Sequence, residues 1–85
     1  MMIESQIKDF IARNILFSSS GFRYSDDSSF LQEGIIDSLG VMELVAFVEK
    51  TFEVKVDDHD ITPDNFDSVR KLAAYVQRLS GAVAG

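Results

Sequence analysis

The chain has 85 residues, no cysteine, one proline and a net charge of −6. That length suits a single small domain stabilised by packed apolar side chains, with no disulfide, no cysteine-based zinc site and no thiol nucleophile of its own. The acidity excludes nucleic acid and anionic lipid, which demand a basic footprint, and no apolar run is long enough to make a membrane span.

The opening residues Met1-Met2-Ile3-Glu4-Ser5 lack the basic-then-apolar pattern of a signal peptide, so a cytoplasmic protein is expected. Ile3, Ile7, Phe10, Ile11 and Ile15 then share one helical face, with Glu4, Lys8, Asp9 and Arg13 off it, which predicts a first amphipathic helix. From Phe17 to Ile36 that period breaks. Ser18-Ser19-Ser20-Gly21 and Ser25-Asp26-Asp27-Ser28-Ser29 are loop compositions, interrupted by Phe22, Tyr24, Phe30, Leu31, Ile35 and Ile36. So long a connection is either partly disordered or laid across the helices through those apolar residues. Asp26-Asp27 reads as a solvated acidic turn, and Gly34 as the turn before the second helix.

That second helix is predicted from Ser38 to Phe52. Asp37 is a favoured N-cap type, so Ser38 falls in the first turn. Rotating by about 100° per residue puts Val41, Leu44, Val45, Val48 and Phe52 on a core stripe. Leu39, Met42 and Ala46 form a second apolar strip on the other side, bordered by Glu43 and Glu49, with Ser38 at its upper end. One buried face suffices for a helix of a two-layer domain, so this strip is either covered by the loop or offered to a partner; the acids around it favour docking. The first N–H groups of a helix lack partners and its macrodipole is positive there, so a phosphodiester on Ser38 would sit in a favourable field. Ser38 is read as a modification site.

After Val54 and Val56, the polar stretch Asp57 to Phe66 is interrupted by Ile61 and Phe66 and has room for a short helical turn. Asp67 or Ser68 caps a last helix whose buried stripe is Val69, Leu72, Ala73, Val76 and Leu79. Residues 80–85 have no pattern and read as a disordered tail, which leaves 1–79 as the domain. The expected class is all-α: a small four-helix bundle of three main helices plus one short helix, with a long loop between the first two.

The spacing alone permits a Ser38–His59–Asp triad, but Ser38 is not on a strand–turn–helix elbow and no glycine-rich element suggests an oxyanion hole. Asp57-Asp58-His59-Asp60 offers oxygen ligands to a divalent cation. It departs from the EF-hand loop, because Pro63 stands where the turn glycine would be if Asp58 led. A solvated acidic turn is expected, and no metal site.

Asp37-Ser38-Leu39 at the second helix start, Glu43-Leu44-Val45 one turn on, Phe52 near its end and a capped Asp67-Ser68-Val69 helix running through Val76 together resemble the acyl and peptidyl carrier proteins. The likeness runs from the first helix to Leu79. It implies that Ser38 receives 4′-phosphopantetheine from coenzyme A through a separate, magnesium-using phosphopantetheinyl transferase, and that cargo is held as a thioester on the arm. It implies no catalysis by the chain, which is expected to be a monomer. It assigns Asp37, Leu39, Met42, Glu43, Ala46 and Glu49 to partner docking. The partners would be an acyl- or aminoacyl-activating ligase and downstream transferases or synthases, and in the family acyl chains also enter a cleft among the helices. Gly40 and Lys50 stand where fatty-acid carriers commonly have acids, and the Glu33-to-Ser38 approach is more similar to free-standing carriers of secondary metabolism, D-alanyl transfer or aminoacyl activation. The competing readings are an unmodified helical adaptor whose second helix binds one partner, and a carrier of fatty-acid synthesis.

Overall fold

In the computed structural model, which describes residues 3–84 and the side chains of 3–80, the first apolar stripe becomes α1, Ile3–Asn14. Ile7 and Ile11 are fully buried and Ala12 joins them, while Ile3, Phe10 and Ile15 pack at the margin. The helix closes with the Leu16 N–H donating to the Ile11 carbonyl (2.9 Å) and the Ser18 N–H to that of Ala12 (2.8 Å), which puts Phe17 in the left-handed region at φ 52°. That terminator is usually glycine.

The second helix, α2, spans Ser38–Phe52. Leu44, Val45 and Val48 are buried, with Val41 and Phe52 half-buried beside them, so the expected stripe faces the core. Phe47 lies outside that stripe yet packs as well, stacking on Phe10 with ring centroids 4.2 Å apart. A single 3₁₀ turn at Asp58–Asp60 and the short α3, Pro63–Phe66, occupy the polar stretch, and α4 spans Val69–Ala84. Every regular element among the described residues is helical, three long and one short.

Val69, Leu72, Ala73 and Val76 of α4 are buried, as the period demands, and so is Tyr75. The Tyr75 hydroxyl donates to Asp60 Oδ2 at 2.8 Å, which satisfies its polar end where the 3₁₀ turn meets α4. Of the two candidate caps, Ser68 does the capping: its Oγ accepts the Lys71 N–H at 3.0 Å. At the other end α4 continues past Leu79 to Ala84, so its backbone enters the segment read as a tail.

The long connection is laid across the helices. Phe30, Ile35 and Ile36 are buried in the same core as α1, α2 and α4. Asp67 anchors it: its carbonyl accepts the Phe30 N–H (2.7 Å), Oδ1 the Leu31 N–H (3.1 Å) and Oδ2 the Ser29 hydroxyl (2.5 Å). The Asp26-Asp27 turn is not merely solvated. Asp26 pairs with Lys8 of α1 at 3.0 Å, its carbonyl accepts the Arg70 N–H at the start of α4 (2.9 Å), and Asp27 pairs with the Arg70 guanidinium. Exposed ion pairs like these are screened by solvent and contribute little, so burial of Phe30, Ile35 and Ile36 is the larger contribution.

Candidate functional site

Local chemistry at the start of α2 determines where Ser38 points. Gly34 turns the chain at φ 67°, a conformation that disfavours any side chain, and the Ile35 N–H then donates to the Phe30 carbonyl at 2.9 Å. Ile35 and Ile36 plunge into the core. Asp37, extended at φ −100° and ψ −172°, accepts the Gly40 N–H on Oδ1 at 2.9 Å and starts the helix. Gly40 is itself buried against Ile36: a Cβ placed there would lie 2.6 Å from Ile36 Cγ2. The side of the first turn that carries Gly40 therefore faces inward, and Asp37, Ser38 and Leu39 face solvent.

Ser38 is thus an exposed hydroxyl at the dipole-positive end of a long helix, where the first backbone donors have no partner within the helix. Beside it lies a hollow of about 300 Å³ between α2, the connection and α3, walled by Phe30, Ile36, Val41, Met42, Ile61 and Phe66. Ser38 and Asp67 are the polar side chains on its lining, and the Asp67 oxygens are already engaged with Ser29 and Leu31. The hollow can therefore shelter an uncharged apolar group and offers little to a charged one.

His59 is not on this lining, and the one carboxylate there, Asp67, is engaged with Ser29 and Leu31. His59 is exposed and its ring Nδ1 sits 3.0 Å from Asp57 Oδ1; the His59 backbone N–H, and then its ring, hold the Asp57 carboxyl below the usual carboxylate range. Among the described residues, no three His, Asp or Glu side chains are grouped to hold a metal.

Of the residues expected to dock a partner, Asp37, Leu39, Met42, Glu43 and Ala46 are exposed. The apolar strip is divided, however. Met42 lines the hollow toward α3, whereas Leu39 and Ala46 face the other way, toward Phe17 and Glu43. Glu49 is half-buried and accepts the Val56 N–H on Oε2 at 2.9 Å, so it fastens the segment after α2. Phe17, 81 % exposed, is a surface feature absent from the sequence reading; the first turn beyond a helix carries no period that would reveal it. The walls Phe30, Ile61 and Phe66 were visible as apolar interruptions of polar stretches, without a sign of what they enclose.

Residues 6–76 match the protein family described as "Phosphopantetheine attachment site". A D-alanyl carrier protein of Streptococcus uberis is 29% identical over 82 residues, covering 96% of this chain and 100% of the relative. An acyl carrier protein of Aster yellows witches'-broom phytoplasma is 34% identical over 77 residues, 91% of this chain and 96% of that one. Among solved structures, a chain from a crystal structure of an FAD-dependent dehydrogenase superposes with a TM-score of 0.72 at 31% identity, covering 82% of this chain and 97% of that chain.

Proposed function

Because this chain belongs to the family of phosphopantetheine-binding carrier proteins, we propose that it is an acyl or aminoacyl carrier and that Ser38 is the residue to which the 4′-phosphopantetheine is covalently attached. One observation carries the assignment: Ser38 is exposed at the Asp37-capped N-terminus of α2, directly beside an apolar hollow. The residues present fit the group. An exposed hydroxyl is reachable by a transferase, the unpartnered first-turn donors favour a phosphodiester, and the hollow accepts an apolar load.

When bound, the group supplies a terminal thiol, which this cysteine-free chain lacks and on which cargo is held as a thioester. The chain's own residues orient and shelter. Asp37 and the Ile36–Gly40 contact hold the first turn so that Ser38 faces outward. Val41, Ile61 and Phe66 give the hollow apolar walls. Asp37, Leu39, Met42, Glu43 and Ala46 present the docking face, and Glu49 supports it from behind by fastening Val56. The chain itself makes and breaks no bonds. Its partners are a phosphopantetheinyl transferase, a ligase that activates an acyl or amino acid, and cytoplasmic enzymes that consume the cargo.

Secondary metabolism or aminoacyl and D-alanyl transfer is favoured over central fatty-acid synthesis, since the exposed Lys50 makes α2 less acidic, Gly40 turns inward against Ile36 in place of an acid, and the S. uberis relative is a D-alanyl carrier. The acyl carrier relative supports fatty-acid synthesis as the second reading. Likeness to a chain from a crystal structure of an FAD-dependent dehydrogenase adds a flavin dehydrogenase to the candidate partners.

The test is intact mass after incubation with coenzyme A, magnesium and a broad-specificity transferase. The wild-type chain should gain one phosphopantetheine, and Ser38→Ala should gain none while melting at an unchanged temperature. An unmodified adaptor would gain nothing in either form.

A further inference from the structure

Phe10 of α1, Phe17 just beyond that helix, and Ala46 and Phe47 of α2 line an open groove of about 800 Å³ whose charged side chains are Glu43 and Lys50. Ser38 is not on that lining; it belongs to the hollow on the α3 side. The Phe17 ring is 81 % exposed, and Glu43, Ala46 and Lys50 are exposed too, so an apolar surface stands uncovered between one acid and one base. Among the described ion pairs none takes up Glu43 or Lys50. We propose that a second copy of this chain covers the groove, the two α2 helices packing antiparallel about a two-fold axis that passes between Ala46 and Phe47. This departs from the monomer that the family resemblance implies, and it does not depend on the reading of Ser38.

Charge decides the occupant. On a chain of net charge −6 a basic partner is the general expectation, but in this groove Lys50 offsets Glu43 and such a partner gains nothing. A second copy gains twice. Glu43 and Lys50 stand about two helical turns apart with Ala46 and Phe47 midway, so a two-fold axis at the midpoint sets Glu43 of each copy against Lys50 of the other. The same operation sets the small Ala46 against the large Phe47 ring, which lets the backbones approach while the space between them is filled. Phe17, at the margin of the groove, loses its exposure to water. The repulsion between two acidic chains acts at long range, and at about 0.15 M salt it is screened beyond about 8 Å, whereas pairs closed off from water keep more of their attraction.

Sedimentation of the full chain at about 0.15 M salt tests the proposal. The mass should rise from one chain toward two between about 10 µM and about 1 mM. Glu43→Lys and Lys50→Glu should each weaken association about tenfold or more, because each sets like charges against one another at both ends of the contact. The two substitutions combined should restore it to within about threefold of wild type. Phe17→Gly, which removes apolar surface from the contact, should weaken association about threefold or more. Melts at about 1 µM, where wild type is a single chain, should be alike for the charge variants and wild type. A wild-type chain that stays single up to about 1 mM overturns the proposal and leaves the groove to an enzyme. So does association that either reversal leaves unchanged, or that the combined reversal fails to restore while the melts agree. Should a reversal lower the melt, Phe17→Gly decides alone, and association as strong as that of wild type overturns the proposal.

Discussion

The Ser29 hydroxyl donates to Asp67 Oδ2 at 2.5 Å, joining two residues 38 positions apart. Together with the bonds from Leu31 and Phe30 to the same residue, it makes one aspartate the fastening of the stretch around Phe30, as Lys8 and Arg70 are of the Asp26-Asp27 turn. Removing the carboxylate leaves the Ser29 hydroxyl and the Leu31 N–H without their partner, while the Phe30 N–H keeps the backbone carbonyl, and hydrogen bonds to a charged group are worth about 1.5–3 kcal/mol. Asp67→Ala should therefore lower unfolding stability by about 2 kcal/mol, and Asp67→Asn, which keeps one acceptor, by less. Urea unfolding followed by circular dichroism checks both; equal stability of Asp67→Ala and wild type would mean that the connection is held without the carboxylate.

Replacing a helical glycine with alanine ordinarily stabilises by about 1 kcal/mol. At Gly40 the sign should reverse. The new methyl would meet the buried Ile36 side chain at 2.6 Å, on the branched carbon where it has no freedom to swing away. A loss of about 1–3 kcal/mol is expected for Gly40→Ala. Pairing it with Ile36→Val, which keeps the offending Cγ2 methyl, should not restore stability, whereas Ile36→Ala should recover part of the clash at the cost of a cavity.

Glu43 and Glu49 border the same helix but should answer differently to charge reversal. Glu43 is exposed and free of described ion pairs, so Glu43→Lys should slow loading by a partner more at low salt than at high salt, with no change in melting. Glu49 holds the Val56 N–H, so Glu49→Lys should lower stability by about 1–3 kcal/mol, with little dependence on salt. Loading rates across a salt series, set beside thermal melts, separate the two.

Burial, then the hydrogen bond to Asp60, push the Tyr75 hydroxyl from its ordinary 10.0 up to about 12. A group whose folded pKa is raised contributes stability that is complete below its unfolded value and is lost as pH climbs through the folded one. The wild-type advantage over Tyr75→Phe should thus hold steady up to about pH 10 and shrink between 10 and 12. Urea midpoints of the two proteins across that range test it; a constant gap would mean that the hydroxyl ionises alike in both states.

The parts of the fold that rest on local pattern were legible. Ile7 with Ile11, Leu44 with Val48, and Leu72 with Val76 declare their helices because each pair lies one turn apart and both members are buried. The Asp37 cap and the outward Ser38 follow from residues within three positions of each other. What escaped the sequence was set by partners far along the chain. Nothing near Ser29 announces Asp67, nothing near Glu49 distinguishes a carboxylate that will capture Val56 from one left in water, and Asp26 reads as an ordinary turn until Lys8 and Arg70 are brought to it. Phe17 escaped for the opposite reason: its conformation is local, but it is one that phenylalanine rarely adopts.

The two walls of the hollow beside Ser38 are unequally secured. The α3 wall runs straight into Asp67 and Ser68, and so into both the connection and the start of α4, while α2 meets α4 less extensively than α1 or α3 does. A wide occupant of that hollow would therefore meet, on the α3 side, a wall tied to two neighbours at once.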